Sequence, residues 1–202
     1  MTDALFPGIL LDRDGTLIEP VKIPKTGEFR SAFDPSEIQL LPGVIEGLRL
    51  LRDAGFVFAL TTNQPGPAKG QASQRAVTRT NLALLQRLRE HGIDFSAVEV
   101  CLHHPHGGPG GDPSLIRDCD CRKPKPGLLE RAIVAADLDR ARSFMVGDSL
   151  VDLVAGRAAG VQVGLLLTPG RAVYDPTRAS VYEPDVSGVT FDALARAIIA
   201  TK

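Results

Sequence analysis

The chain has 202 residues, 23 basic and 24 acidic side chains, 44% hydrophobic residues and no Trp. The near-neutral balance lacks the basic surplus of a general nucleic-acid binder, and no apolar run approaches the roughly 18 residues that a membrane span requires. Met1 to Pro7 has neither the basic start nor the apolar stretch of a secretory leader. One soluble domain over residues 1–202, cytoplasmic and monomeric, is therefore expected.

In chain order, Gly8 to Leu11 is a short apolar run bounded by turn residues, which predicts a buried strand ending at Asp12. Leu17 to Pro42 follows as an irregular insertion rich in Pro and charge. Helical spacing of apolar residues appears over Gly43 to Ala54, and a second strand over Phe56 to Thr61. A helix over Ser73 to His91 and a strand over Val98 to Leu102 come next, then a Gly- and Pro-rich insertion from His103 to Lys125. A helix from Pro126 to Ala136, a strand from Ser143 to Val146, a helix from Leu150 to Ala159 and a strand from Val161 to Leu167 continue the alternation. A last helix runs from Phe191 to Ala200, with Thr190 as its candidate cap. Five strands alternating with helices predict an α/β three-layer sandwich, a parallel sheet covered on both faces. In such sheets ligands bind beyond the carboxyl ends of the strands, so the residues after each strand carry the most information.

After the first strand stands Asp12-Arg13-Asp14-Gly15-Thr16. Two acids one residue apart at a Gly-containing turn can reach one point. One carboxylate can attack phosphorus to form an acyl phosphate, and its neighbour can protonate the leaving oxygen and then activate water. Like charges so close call for a cation, which Mg²⁺ would supply while neutralising phosphoryl oxygens. Taken alone, the pair equally suits an Asx-type turn. After the second strand, Thr61-Thr62-Asn63-Gln64 offers hydroxyl and backbone donors for a phosphoryl oxygen, or merely a helix cap. Arg122-Lys123-Pro124 places cations before a helix, and Asp148 and Asp152 stand four apart around another helix start. Each element is weak by itself, but all four follow predicted strands, which puts them at one edge of one sheet.

In that order the four motifs resemble the haloacid dehalogenase superfamily, over about residues 8 to 167. The resemblance implies a Rossmann-like fold without a large cap domain, and phosphoaspartyl chemistry on a small phosphorylated metabolite. Asp12 would be the nucleophile, Asp14 the general acid/base, and Thr62 and Lys123 the phosphoryl stabilisers. Mg²⁺ would be held by Asp12, Asp14 (through its carbonyl) and Asp148, with Asp152 behind them.

The second insertion holds a different chemistry. Cys101-Leu102-His103 and Cys119-Asp120-Cys121 bring three thiols and an imidazole together, with fifteen residues between His103 and Cys119. Such a set fills a closed tetrahedral zinc site, and a closed site is structural. The spacer carries almost no apolar side chains, so metal binding of the order of 10 kcal/mol would fix its shape. His104 and His106 are rival ligands to His103. The loop resembles that of the heptose-bisphosphate and histidinol phosphatase branch of the superfamily, where Arg122 would recognise substrate, with Asn63 and Ser149 also on the substrate side. Removal of the 7-phosphate of D-glycero-D-manno-heptose 1,7-bisphosphate is the expected activity. Hydrolysis of histidinol phosphate or another small sugar phosphate, or a catalytically silent zinc-held module, are the alternatives. Ser149 and Lys69 depart from that branch, which carries Lys and Arg at those places.

Overall fold

The structure, a computed structural model, describes residues 5–167 and 183–202. Residues 1–4, part of the stretch read for a leader, lie outside them. Six strands form one sheet in the order β5-β4-β1-β6-β7-β8. These are β1 (Phe6–Leu11), β4 (Val57–Asn63), β5 (Ala97–Cys101), β6 (Leu138–Gly147), β7 (Gln162–Leu166) and β8 (Val186–Gly188). All their pairings are parallel. Successive strands grow outward from β1, first to one side and then to the other, so the sheet reverses direction between β1 and β6. That reversal leaves a crevice beyond the carboxyl ends of the strands, where α/β sheets bind ligands.

The period-two pattern of the strands divides the core between the faces. Ile9, Leu11, Phe58, Leu60, Phe144 and Val146 face a cluster that includes Leu48, Leu84, Leu88 and Phe191. These belong to α1 (Val44–Asp53), α2 (Gln74–Arg89) and α5 (Phe191–Ile199). The alternate residues Leu10, Ala59 and Met145 face Leu129, Ala132 and Leu153, carried by α3 (Gly127–Ala135) and α4 (Leu150–Ala158). The three-layer sandwich expected from the alternation is the observed fold. Thr190 caps α5 by accepting from the Ala193 amide at 3.4 Å.

Three elements differ from the sequence reading. A sixth strand, β8, joins the edge of the sheet; its three residues are too few for a periodic signal. The strand expected over Ser143 to Val146 begins at Leu138, because a register shift against Pro7 and Ile9 lets its polar first half pair as well. The 17–42 insertion contains a short antiparallel ribbon, β2 (Val21–Lys22) with β3 (Phe29–Arg30). Below it Arg30 and Glu37 form a two-pronged ion pair, while Glu37 Oε2 also accepts from the Phe33 amide. Among the described residues no helix is long and apolar enough to cross a membrane.

Candidate active site

The nucleophile-type turn is shaped by close packing. β1 is extended by one further bond, Asp12 N to Val146 O at 3.0 Å, and the chain then turns so that the amides of Leu17 and Ile18 both bond the Arg13 carbonyl. Gly15 sits at φ +87°, and a Cβ there would lie 2.0 Å from an Asp148 carboxylate oxygen. Only glycine satisfies both the backbone and the space. The tight approach brings the Asp12–Asp14 turn against the acid that follows β6.

Lys123 lies at the centre. Its side chain is 1% exposed, and its ammonium donates to Asp12 Oδ1 at 2.8 Å, Asp152 Oδ1 at 2.6 Å and the Thr61 carbonyl at 2.8 Å. Three acceptors match the three donors of an ammonium. Burial opposes its charge, but the carboxylates of Asp12 and Asp152 outweigh that and hold its pKa above the ordinary 10.5. Asp152 in turn accepts at Oδ2 from the amide and hydroxyl of Ser149, the residue that starts α4. Asn63 holds Lys123 from the other side, donating to its carbonyl and accepting from its amide, each at 3.1 Å.

These contacts assign different local work to two residues expected on the substrate side. Both ends of the Asn63 amide are used on the Lys123 main chain, and the Ser149 hydroxyl is used on Asp152. Asp152, expected behind a metal, is fully buried and links α4 to Lys123. Thr62 is 1% exposed and its hydroxyl accepts from Gln64 Nε2 at 3.0 Å.

Asp12, Asp148 and Asp152 each offer an oxygen within 4.8 Å of the others. Burial raises the Asp148 carboxyl to about 8, with Asp12 and Asp152 adding to the shift. Burial raises Asp12 to about 6, opposed by Lys123 and reinforced by Asp152 and Asp14. A cluster that resists ionisation in this way fits a divalent cation, which would remove the mutual repulsion.

Asp14 is turned into a separate polar pocket. Its carboxylate accepts from Arg13 Nε and Nη2, from Gln64 Nε2 and from the Ala32 amide. No role was assigned from the sequence to Arg13, to Gln64 or to Asn81, which accepts from Arg13 Nη1. The available signal for Asn81 was its position: the inward face of α2 carries Val77, Thr80, Asn81, Leu84 and Leu88, and an amide there must find a partner.

Beside this edge, the sulfurs of Cys101, Cys119 and Cys121 lie 3.2 to 3.7 Å apart. His103 Nδ1 is 3.3 Å from Cys121 Sγ and 3.8 Å from Cys101 Sγ. A tetrahedral zinc with bonds of about 2.3 Å to sulfur needs sulfur separations of about 3.8 Å, so the set is compatible with that ion. Burial pushes the Cys101 and Cys121 thiols up, while hydrogen bonds from neighbouring groups overcome burial and lower Cys119. Burial and the Arg117 charge keep His103 in its neutral form, the form that ligates metal. The rival His104 instead accepts at Nδ1 from the amides of His106 and Gly107.

A parallel sheet with a nucleophile turn after its first strand, a buried lysine and a second acid pair at the switch point is the layout of a phosphoryl-processing hydrolase. A family model for HAD-hydrolase-like proteins matches residues 120–191. The chain is 35% identical over 166 residues to D-glycero-β-D-manno-heptose-1,7-bisphosphate 7-phosphatase of Pasteurella multocida, covering 82% of this chain and 83% of that one. The corresponding phosphatase of Mesorhizobium japonicum is 36% identical over 171 residues, covering 85% and 73%. Among solved structures, the D,D-heptose 1,7-bisphosphate phosphatase of B. bronchiseptica, complexed with magnesium and phosphate, superposes with a TM-score of 0.76 at 28% identity, covering 96% of this chain and 99% of that one. The chain belongs to the haloacid-dehalogenase-like hydrolases, in the family of these heptose bisphosphate phosphatases.

A prediction on stability follows from the acid cluster. The unfolded chain releases the Asp12 and Asp148 protons near the ordinary value of 3.8, whereas the folded, metal-free protein keeps them to about 6 and about 8. Their contribution to stability is therefore greatest in acid and is lost as pH rises through those values. Mg²⁺ should raise the melting temperature most at about pH 8 to 9 and little near pH 5, and Asp148→Asn should flatten this dependence. Melts at both pH values with and without Mg²⁺ check it; a magnesium effect that does not change with pH counts against the cluster as the ion's site.

Proposed function

We propose that the chain is a magnesium-dependent phosphatase that works through a phosphoaspartyl form of Asp12 and removes the 7-phosphate of D-glycero-β-D-manno-heptose 1,7-bisphosphate. The observation that carries the reaction class is Asp12 itself, a carboxylate with one oxygen fixed 2.8 Å from the Lys123 ammonium while its other oxygen is left to attack. In the first step Asp12 forms a bond to phosphorus as the bond to the sugar oxygen breaks, and Asp14 supplies the proton that the oxygen takes away. In the second, Asp14 accepts a proton from water, which attacks the phosphoaspartate and regenerates Asp12 with release of phosphate. Lys123 and the Thr62 hydroxyl stabilise charge on the phosphoryl oxygens. Mg²⁺, when bound by Asp12 and Asp148 with Asp152 behind them, neutralises part of that charge.

The family relationship supports the heptose substrate, and so does local charge. Arg117, Arg122, Lys123 and Lys125, against the single acid Asp118, line a cavity of about 230 Å³ beside Cys119. Cations there suit a phosphorylated polyol better than histidinol phosphate, which brings an ammonium of its own. We also propose a structural zinc on Cys101, His103, Cys119 and Cys121, which would fix the start of the Arg122–Lys123 loop directly after its last ligand.

Asp12→Asn should leave the fold intact and reduce turnover to a small fraction of wild type, because an amide is a poor nucleophile; steady-state kinetics on any accepted phosphate decide it. Zinc should copurify at about one ion per chain and fall in Cys119→Ser together with the melting temperature. Zinc-free protein purified without chelator would remove that assignment. On substrate, kcat/KM for heptose 1,7-bisphosphate should exceed that for histidinol phosphate at least about tenfold, some 1.4 kcal/mol in transition-state binding. Equal or reversed values would leave a phosphatase of other specificity.

A further inference from the structure

The sequence motif places Arg13 between the two acids, where phosphoryl chemistry requires only that the chain pass by. The structure shows something more specific. Arg13 is among the largest fully buried side chains of the protein, at 0% exposure, and a buried guanidinium cannot shed its charge. Each of its three nitrogens donates. Nε and Nη2 fork onto the Asp14 carboxylate at 3.1 and 3.2 Å. Nη2 also donates to the Ala32 carbonyl at 2.8 Å and to Gln64 Oε1 at 3.0 Å, and Nη1 donates to Asn81 Oδ1 at 2.6 Å. Gln64 closes a ring by donating from Nε2 to Asp14 Oδ2 at 2.7 Å. Asn81 reaches into this ring from α2, remote in sequence from every catalytic motif.

We propose that Arg13 is the positioning residue for the general acid/base, and that Asn81 orients Arg13 from α2 while Gln64 bridges Arg13 to the carboxylate. The proposal rests on the phosphatase reading and deepens it. The nucleophile is bonded by Lys123 and the proton carrier by Arg13, so different cations hold the two acids of one turn. The fork and the two further donors fix where the Asp14 carboxylate stands.

That division makes the proposal testable by leaving group. An aryl oxygen departs without a proton, whereas the alkyl oxygen of a sugar phosphate needs one. Phosphorylation of Asp12 by p-nitrophenyl phosphate should therefore tolerate a misplaced Asp14, while turnover of a sugar phosphate should not. Asn81→Asp is nearly isosteric and sets a carboxylate against Arg13 Nη1 that competes with Asp14 for the guanidinium. Arg13→Gln removes the fork outright and leaves its partners unpaired, so it is the variant more exposed to misfolding. For Asn81→Asp, rapid quench should show the p-nitrophenol burst within about threefold of wild type, with a tenfold or larger fall in kcat on heptose 1,7-bisphosphate and little change in KM. Equal losses on both substrates with a lowered melting temperature would make the network merely structural, and unchanged rates on both would remove Arg13 from the mechanism. A wild-type protein that hydrolyses neither substrate would overturn the phosphatase reading and this proposal with it, an outcome separate from the other two.

Discussion

The nucleophile side of the catalytic edge is arranged around the buried ammonium of Lys123. Asp12, Asp148 and Asp152 converge where β1 and β6 end, and three carboxylates in a partly dry crevice repel one another and resist ionisation. One cation held by two of them and by a strand carbonyl offsets part of that repulsion. Its position is set by other parts of the fold. Asn63 at the end of β4 grips its main chain, and Asp152 in the first turn of α4 grips its side chain. The loop that delivers Lys123 is thus tied to the sheet on one side and to a helix start on the other, and a rigid cation is what electrostatic stabilisation of a phosphoryl group requires.

Much of this was legible in the chain. Strand-final acids, a Thr after β4 and a Lys before α3 mark one edge of a parallel sheet, because side chains immediately after parallel strands have nowhere else to meet. The paired cysteines likewise imply a convergence that their sulfur separations bear out. What the chain did not disclose were relations that depend on three-dimensional neighbours. Asn63 and Ser149 read as substrate contacts in a linear motif, and the bonds they also make to Lys123 and Asp152 have no local signal. Arg13 and Asn81 are 68 positions apart, and no local pattern couples them. Strand β8 has three residues, too short to show a period, and the bulge in β6 carries pairing into residues whose polarity suggested a loop.

The contact of Ala32 with the acid pocket has a bearing on how such enzymes diverge. Its amide donates to Asp14 Oδ1 and its carbonyl accepts from Arg13, so at Ala32 the insertion that follows the first motif bonds the acid pocket through main-chain atoms. Main-chain contacts are indifferent to side-chain identity. The insertion is thus pinned at the Ala32 main chain and, through Leu17, Ile18, Ile38 and Leu41, at the core, which leaves the exposed turn at 24–28 as the part able to change in length and composition. Change at that turn can accumulate without disturbing the main-chain contacts that hold the acid pocket together.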